Sequence, residues 1–454
     1  RTILCWSVVA LFAISAATDM AHSQPPTTTR VSIGSDGQEG NSYSNVFNIS
    51  GNGRYVVFHS VASNLVTNDT NETDDIFLHD FLTRKTVRVS VSSEGVQGND
   101  RSLRSSMSSQ ERFVSFDSQA TNLVANDSNN SLDVFIHEVL TGETTRVSVN
   151  SEGEEGNGGS WNSSMSADGR YVRFTSDASN LVENDLNGAA DVFVRDRLTG
   201  TTERVSVDSA GSEANGFSSG AGLSADGRFV SFQSDATNLD GEDSNGVRDA
   251  FVHDRLTGET YRVSLSSQGE EGNHSSQRAR ISGDGRFIVF DSEATNLVEG
   301  DSNGVMDVFL HNRLTRETTR ISVNREGAEG NGLSRNAVLS YDGRFVSYFS
   351  EASNLVQDDT NESPDAFRYD RLTGETIRVS LADDGSEAEM GGGYPHISDQ
   401  GSRIGFQSVS GNLVPGDTNE ETDIFVREIP LNELYFAQFG EGMDQLFSQI
   451  LLFN

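Results

Sequence analysis

The residues of this chain best equipped for chemistry are oxygen-bearing side chains set on a ruler. Asp69, Asn71 and Asp75 return 58 residues later as Asp127, Asn129 and Asp133, then as Asp185, Asn187 and Asp191; Asp243, Asn245 and Asp249; Asp301, Asn303 and Asp307; Asp359, Asn361 and Asp365; and Asp417, Asn419 and Asp423. Alternate oxygens on a tight loop, closed by a third carboxylate, offer a hard cation several ligands, and Ca2+ completes its six to eight with backbone carbonyls and water. Calcium is the cofactor to which this spacing points. The same spacing also builds side-chain-to-backbone turns that need no metal, and the sequence leaves both readings open. The Asp-x-Asn-Gly opening of the third, fourth and fifth copies looks like half of a helix-loop calcium site. It departs at the fifth loop position, which has no carboxylate, and at the twelfth, where Asp80, Glu138 and Asn312 vary instead of a fixed glutamate.

Other chemistry is scarce. A reaction needs unlike groups converging on one atom, whereas an even repeat supplies like groups at even spacing. His79, His137, His253 and His311 share one slot but stand whole repeats apart, too far to share a metal. No Gly-x-Ser-x-Gly, glycine-rich phosphate loop or His-Glu-x-x-His occurs. An enzyme of the propeller lyase or glycosidase kind would draw on paired carboxylates, for which Glu154, Glu155, Glu270 and Glu271 are the candidates; near-copies in other repeats weaken them. The serine and asparagine of Ser-x-x-x-Asn-Leu, from Ser60 and Asn64 to Ser408 and Asn412, read as loop hydrogen-bonders.

The elements that must position these groups follow from the rest of the period. Each unit contains four stretches of strand character, in the first at 46–50, 54–60, 75–80 and 86–92, with Gly51-Asn52-Gly53 as a tight hairpin. Phe77, Phe135, Phe193, Phe251, Phe309, Phe367 and Phe425 keep the period without insertion or deletion. Consecutive apolar residues such as Tyr55-Val56-Val57-Phe58 require cover on both faces of the sheet. Seven such units predict an all-β fold, a seven-bladed β-propeller of four-stranded antiparallel blades. A lone Arg-Val-Ser strand at 28–32 precedes the first full unit and is missing from the last, so the N-terminal strand should close the last blade.

In that architecture the loops after the second and fourth strands share one face. The positions where the copies disagree gather just before and within the innermost strand. One slot reads Tyr43, Arg101, Gly159, Phe217, Ser275, Leu333 and Gly391; the next but one reads Asn45, Leu103, Trp161, Ser219, Gln277, Arg335 and Gly393. With Arg104, Arg278 and Tyr394, these form a belt of aromatics and arginines at the channel mouth, the composition of a binding hot spot. The belt residues Tyr43, Arg101, Arg104, Trp161, Phe217, Arg278, Arg335 and Tyr394 are the expected contacts for a protein, peptide or glycan partner, and the chain reads as a noncatalytic monomeric binding or scaffold propeller.

The propeller should span 24–429. Before it, an apolar run from Ile3 to Ala17 and small residues at Ala21 and Ser23 read as a signal peptide over 1–23, too short for a transmembrane anchor. Export to the periplasm, cell surface or medium is expected. Cys5, the sole cysteine, leaves with the leader, so no disulfide supports the mature chain. With one arginine before the apolar run and no initial methionine, the sequence is expected to be cut at both ends. A formal net charge of −35 argues against nucleic acid and anionic membranes as partners.

The units Ser-Ala-Asp-Gly-Arg-Tyr-Val-Arg-Phe at 166–174 and Asp-Val-Phe-Val-Arg-Asp at 191–196, closed by Thr-Glu-Arg-Val-Ser, resemble the TolB-like propeller repeats of bacterial exported proteins. The likeness covers 28–428 and implies the propeller fold. Its members include envelope scaffolds, peptidase gating domains and lytic enzymes, so it implies no single function. TolB itself has six blades and its own N-terminal domain, which find no match here. The tail at 430–454 resembles the opening strands of a small β-sandwich domain that trails repeats in bacterial secreted proteins.

Overall fold

The computed structural model describes residues 25–241 and 243–430, with the backbone alone at Val46 and Phe47. The predicted leader, Cys5 within it, and the predicted tail strands lie outside these residues. Among the described residues no helix is long and apolar enough to cross a membrane.

Each period folds into one four-stranded antiparallel sheet, and there are seven. In the first blade the strands are Ser44–Ile49, Tyr55–Ser60, Asp75–Asp80 and Lys85–Arg88. The two middle strands are almost wholly buried, because both faces pack against neighbouring blades. Their phenylalanines explain the aromatic ruler: Phe58 sits directly opposite Phe77 with ring centroids 5.8 Å apart, and the pairing recurs around the ring to Phe406 and Phe425 at 5.6 Å. The Ser-x-Asp-Gly-Arg hairpin is held by its own side chains. Ser166 Oγ donates to Asp168 Oδ1 at 2.7 Å, the Arg170 amide donates to the same oxygen at 3.0 Å, and Gly169 supplies the turn at φ 71°. The Arg170 guanidinium then donates to both oxygens of Asp196 at 3.0 and 2.7 Å, tying the hairpin to the far end of the third strand.

Two boundaries differ from the expectation. The outermost strand stops at Arg88 because Ser90 turns inward, its hydroxyl donating to Asp75 Oδ1 at 2.6 Å and accepting from the Ile76 amide at 3.0 Å. The innermost strand starts two residues early, at Ser44, and carries a register shift between Asn45 and Phe47.

The ring closes as the strand count requires. Thr27–Arg30 pairs antiparallel with Asp423–Glu428, in the register Thr27 to Glu428 and Arg30 to Phe425. An apolar core joins the last blade to the first, with Ile424 and Val426 packed among Val56, Phe58 and Phe77. The innermost strands touch one another in sequence, and the seventh, Gly393–Ile397, also touches the first. These strands therefore surround the axis.

Candidate functional site: carboxylate clusters and the inner belt

The Asp-x-Asn-x-x-x-Asp loop meets the loop that follows the outermost strand. In the third blade Asn187 Oδ1 accepts the Ala189 amide at 2.7 Å, while Asn187 Nδ2 donates to Asp191 Oδ2 and to the Ala214 carbonyl, both at 2.9 Å. Asn71, Asn129, Asn303, Asn361 and Asn419 are arranged alike, and Asn245 takes the Val247 amide and donates to the Gly272 carbonyl. Each asparagine thus spends its carbonyl on a turn. It presents N–H where a metal ligand would present oxygen.

A glutamate from the following loop joins the two aspartates. Glu39 with Asp417 and Asp423, Asp127 and Asp133 with Glu155, Asp185 and Asp191 with Glu213, Asp243 and Asp249 with Glu271, and Asp301 and Asp307 with Glu329 each bring three carboxylate oxygens within 4.8 Å of one another. The Arg-Val-Ser arginine of the same blade enters the group. Arg204 Nη1 lies 2.5 Å from Glu213, 3.4 Å from Asp191 and 3.8 Å from Asp185. Arg30, Arg146 and Arg320 contact all three acids of their clusters, and Arg262 contacts Asp249 and Glu271. Asp359 and Asp365 of the sixth blade hold Arg378 together with Glu387. In the first blade Gln97 replaces the glutamate and donates to Asp69 and Asp75, which also face Arg88. Burial, reinforced by the neighbouring aspartate, pushes Asp127, Asp301 and Asp417 up to about 6. Three acids against one guanidinium leave a formal excess of negative charge, and the buried Oδ1 atoms of Asp127 and Asp301 accept no hydrogen bond among the described residues. Chemically the cluster is an arginine-filled carboxylate cage with capacity for a further cation or a proton.

The variable belt sits on a β-bulge. The innermost strands of the second to seventh blades share the register shift seen in the first. Arg104, Asn162, Arg278, Asn336 and Tyr394 occupy it in left-handed conformation, with φ of 46, 58, 55, 58 and 48°. A bulge re-aims a side chain and frees an amide. That amide is caught by the preceding blade: Asn162 N donates to Asp117 Oδ2 at 2.8 Å, Arg278 N to Gln233 Oε1 at 2.6 Å and Asn336 N to Asp291 Oδ2 at 2.9 Å. Asp117 and Asp291 also face the bulge arginine of their own blade, Arg104 at 3.6 Å and Arg278 at 3.4 Å. Burial pushes Asp117 up to about 7 and Asp291 to about 6 against these contacts.

The belt residues are not one continuous patch. Arg335 stacks over Phe349 at 5.2 Å, and Phe349 packs beside Tyr394 at 6.3 Å, so the sixth and seventh blades share a cationic aromatic surface. Phe217 is covered by Arg248, itself paired with Asp235 at 2.8 Å. Tyr43 donates to Asp74 at 3.3 Å, Arg101 donates to Gln119 at 2.7 Å, and Trp161 is half-buried.

The remaining candidates have structural duties. His79, His137 and His311 each bond a threonine of the adjacent outer strand through Nδ1 at 2.9 Å, and His253 does so at 2.8 Å; Arg195 and Arg427 make the same contact elsewhere. Glu155 and Glu271 belong to the arginine cages, Glu154 bonds Asn150, and Glu270 is exposed. Ser60 and Asn64 bond loop backbone, as expected. The sequence named Glu155 and Glu271 only as carboxylates for an enzyme and passed over the cage arginines and the other cage glutamates, although these keep the 58-residue period.

No family model matches this chain, and no curated protein matches it. Solved structures do. Oligogalacturonate lyase from Vibrio parahaemolyticus aligns over 89% of this chain and 93% of its own at 13% identity, with a TM-score of 0.53. An oligogalacturonate lyase in complex with manganese aligns over 90% and 97% at 12% identity, with a TM-score of 0.54. A putative TolB from Agrobacterium tumefaciens aligns over 78% and 98% at 15% identity, with a TM-score of 0.42. At such identities the likeness is one of fold, and the propeller implied by the TolB-like repeats is the fold found.

Proposed function

We propose that this chain is a noncatalytic exported propeller that captures a protein, peptide or glycan partner on the face where its innermost strands begin. One observation carries the reading: a ring that repeats its core and cages in every blade varies its residues at the bulged inner strand, and fills that belt with Arg101, Arg104, Trp161, Arg335 and Tyr394. Aromatic and arginine side chains are the usual anchors of recognition. The carboxylates an enzyme of lyase type would need are engaged in the cages or lie exposed, which favours binding over catalysis. Expression of the propeller with Trp161→Ala and Arg104→Ala, tested on glycan and peptide arrays against the unaltered chain, should abolish capture. Undiminished capture would move the site to the outer blades.

Calcium enters this reading as a stiffener of the long loops, drawn by the excess negative charge of the cages. With free ion at ten times its Kd, each site adds about 1.4 kcal/mol by mass action. Addition of EDTA should lower the melting temperature by several degrees and calcium should restore it; a melt indifferent to both leaves arginine as the sole counter-ion.

A further inference from the structure

The outer wall of the ring carries a groove that neither the belt nor the cages account for. It runs between the fourth and fifth blades and encloses about 770 Å3, a volume within the ordinary range of small-molecule sites. One side is the outermost strand of the fourth blade, Glu259–Arg262, and the other is the turn of the fifth blade that carries Arg313 and Arg316.

The preceding groove shows what a guanidinium in this position takes. Between the third and fourth blades Arg255 stacks on Tyr171 at 4.3 Å, donates to the Gly227 carbonyl and pairs with Glu203 at 2.5 Å. Arg313 is its counterpart one period on, stacked on Phe229 at 4.0 Å and donating to the Gly285 carbonyl at 2.9 Å. Tyr261 holds the slot of Glu203, and among the described residues Arg313 makes no ion pair. Thr145 and Thr319 are also uncharged opposite Arg197 and Arg371, but the turns of those arginines carry Gly200 and Gly374 where the fifth blade adds Arg316. Arg316 has a φ of 61°, in a turn position that Gly142, Gly200, Gly258 and Gly374 fill at positive φ in other blades. Glycine adopts that conformation freely, so the second cation stands there against the preference of the backbone. It too makes no ion pair among the described residues.

The facing wall has the opposite chemistry. Asp240 occupies a slot that is valine in every other blade, and its Oδ2 accepts the Arg262 amide at 2.7 Å. Asp240, Glu259 and Gln268 are exposed in the groove. Two carboxylates and an amide accept hydroxyl hydrogens and repel a second acid. Tyr261 adds a ring, an apolar body with a polar tip. The fourth-blade wall therefore suits hydroxyl groups, and the fifth-blade wall suits one carboxylate.

We propose that the groove between the fourth and fifth blades binds an acidic sugar, its carboxylate on Arg313 and Arg316 and its hydroxyls on Asp240, Glu259 and Gln268. Planar guanidinium forks match a carboxylate, and the pairing of Arg255 with Glu203 is the same contact made within the chain. An acidic peptide supplies the carboxylate without the hydroxyls. The assignment does not rest on the belt: it needs no contact from Trp161 or Arg104.

The test titrates the purified chain calorimetrically at constant ionic strength with glucuronate, with glucose and acetate as the two halves of its chemistry, and with capped glutamate as an acidic peptide unit. Glucuronate should bind with a Kd of about 1 mM or tighter, and glucose and acetate about tenfold or more weakly. Arg316→Gly, which installs the residue of four sister turns, should melt no lower than the unaltered chain and yet weaken glucuronate about tenfold. Tyr261→Glu, which gives Arg313 the carboxylate that Arg255 has, should abolish binding. The Trp161→Ala, Arg104→Ala double variant should bind glucuronate as the unaltered chain does, which separates this groove from the belt. Absence of glucuronate binding, equal binding by Arg316→Gly, or capped glutamate binding as tightly as glucuronate would overturn the site, the last by assigning an acidic peptide in its place.

Discussion

The guanidinium inside each carboxylate cage sets how much negative charge a blade tolerates. Arg204 is the only cation within 4 Å of Asp185, Asp191 and Glu213 among the described residues. Removing one partner of a buried pair strands the other's charge and costs about 3 to 5 kcal/mol. Arg204→Met should lower stability by that order, read from urea denaturation, and added Ca2+ should recover part of it by taking the vacated centre. Asp117 makes a second case at this scale. Its carboxyl holds a proton up to about pH 7 in the folded chain, whereas an unfolded aspartate gives it up near pH 4. A raised carboxyl makes the folded state lose stability as pH rises between those values. Asp117→Asn keeps an acceptor for the Asn162 amide and lacks the titration. The variant should gain on the unaltered chain as pH rises from 4 to 7, and urea midpoints at pH 4.5 and 7.5 would show it. A difference independent of pH would contradict the burial argument.

At the scale of the strand, the bulge is the feature that matters. Among the described residues it turns one residue to positive φ in five of the blades, and an L-residue pays about 1 to 2 kcal/mol for that conformation, more when β-branched. Asn336 at φ 58° is a tolerated occupant. Asn336→Val should therefore destabilise by about 1 to 2 kcal/mol while Asn336→Gly changes stability little; equal effects in thermal melts would mean that the backbone relaxes there. The bulge was hidden in the sequence for a physical reason. Its residues, Arg104, Asn162, Gly220, Arg278, Asn336 and Tyr394, share no chemistry, because what fixes it is a register shift against the second strand and the capture of one amide by the blade before. The hairpins were legible, since Ser-x-Asp-Gly-Arg builds its turn from contacts a few residues apart.

For the whole molecule, closure is the decisive contact. Thr27–Arg30 covers the edge of Asp423–Glu428, and Arg30 fills the cage of Glu39, Asp417 and Asp423. A chain begun at Gly34 should lose both at once. It should melt at lower temperature and self-associate through the opened edge, visible as a concentration-dependent mass by light scattering; a monomer with an unchanged melt would show that the ring does not depend on its clasp. The sequence by itself determined the blade number, the four strands of each blade and this clasp, because period and apolar pattern are local properties that one chain direction can express. Only the tertiary structure decided what the acidic loops hold. Whether an oxygen meets a cation, an arginine or a backbone amide depends on rotamers and on loops converging in space, which no spacing along the chain encodes.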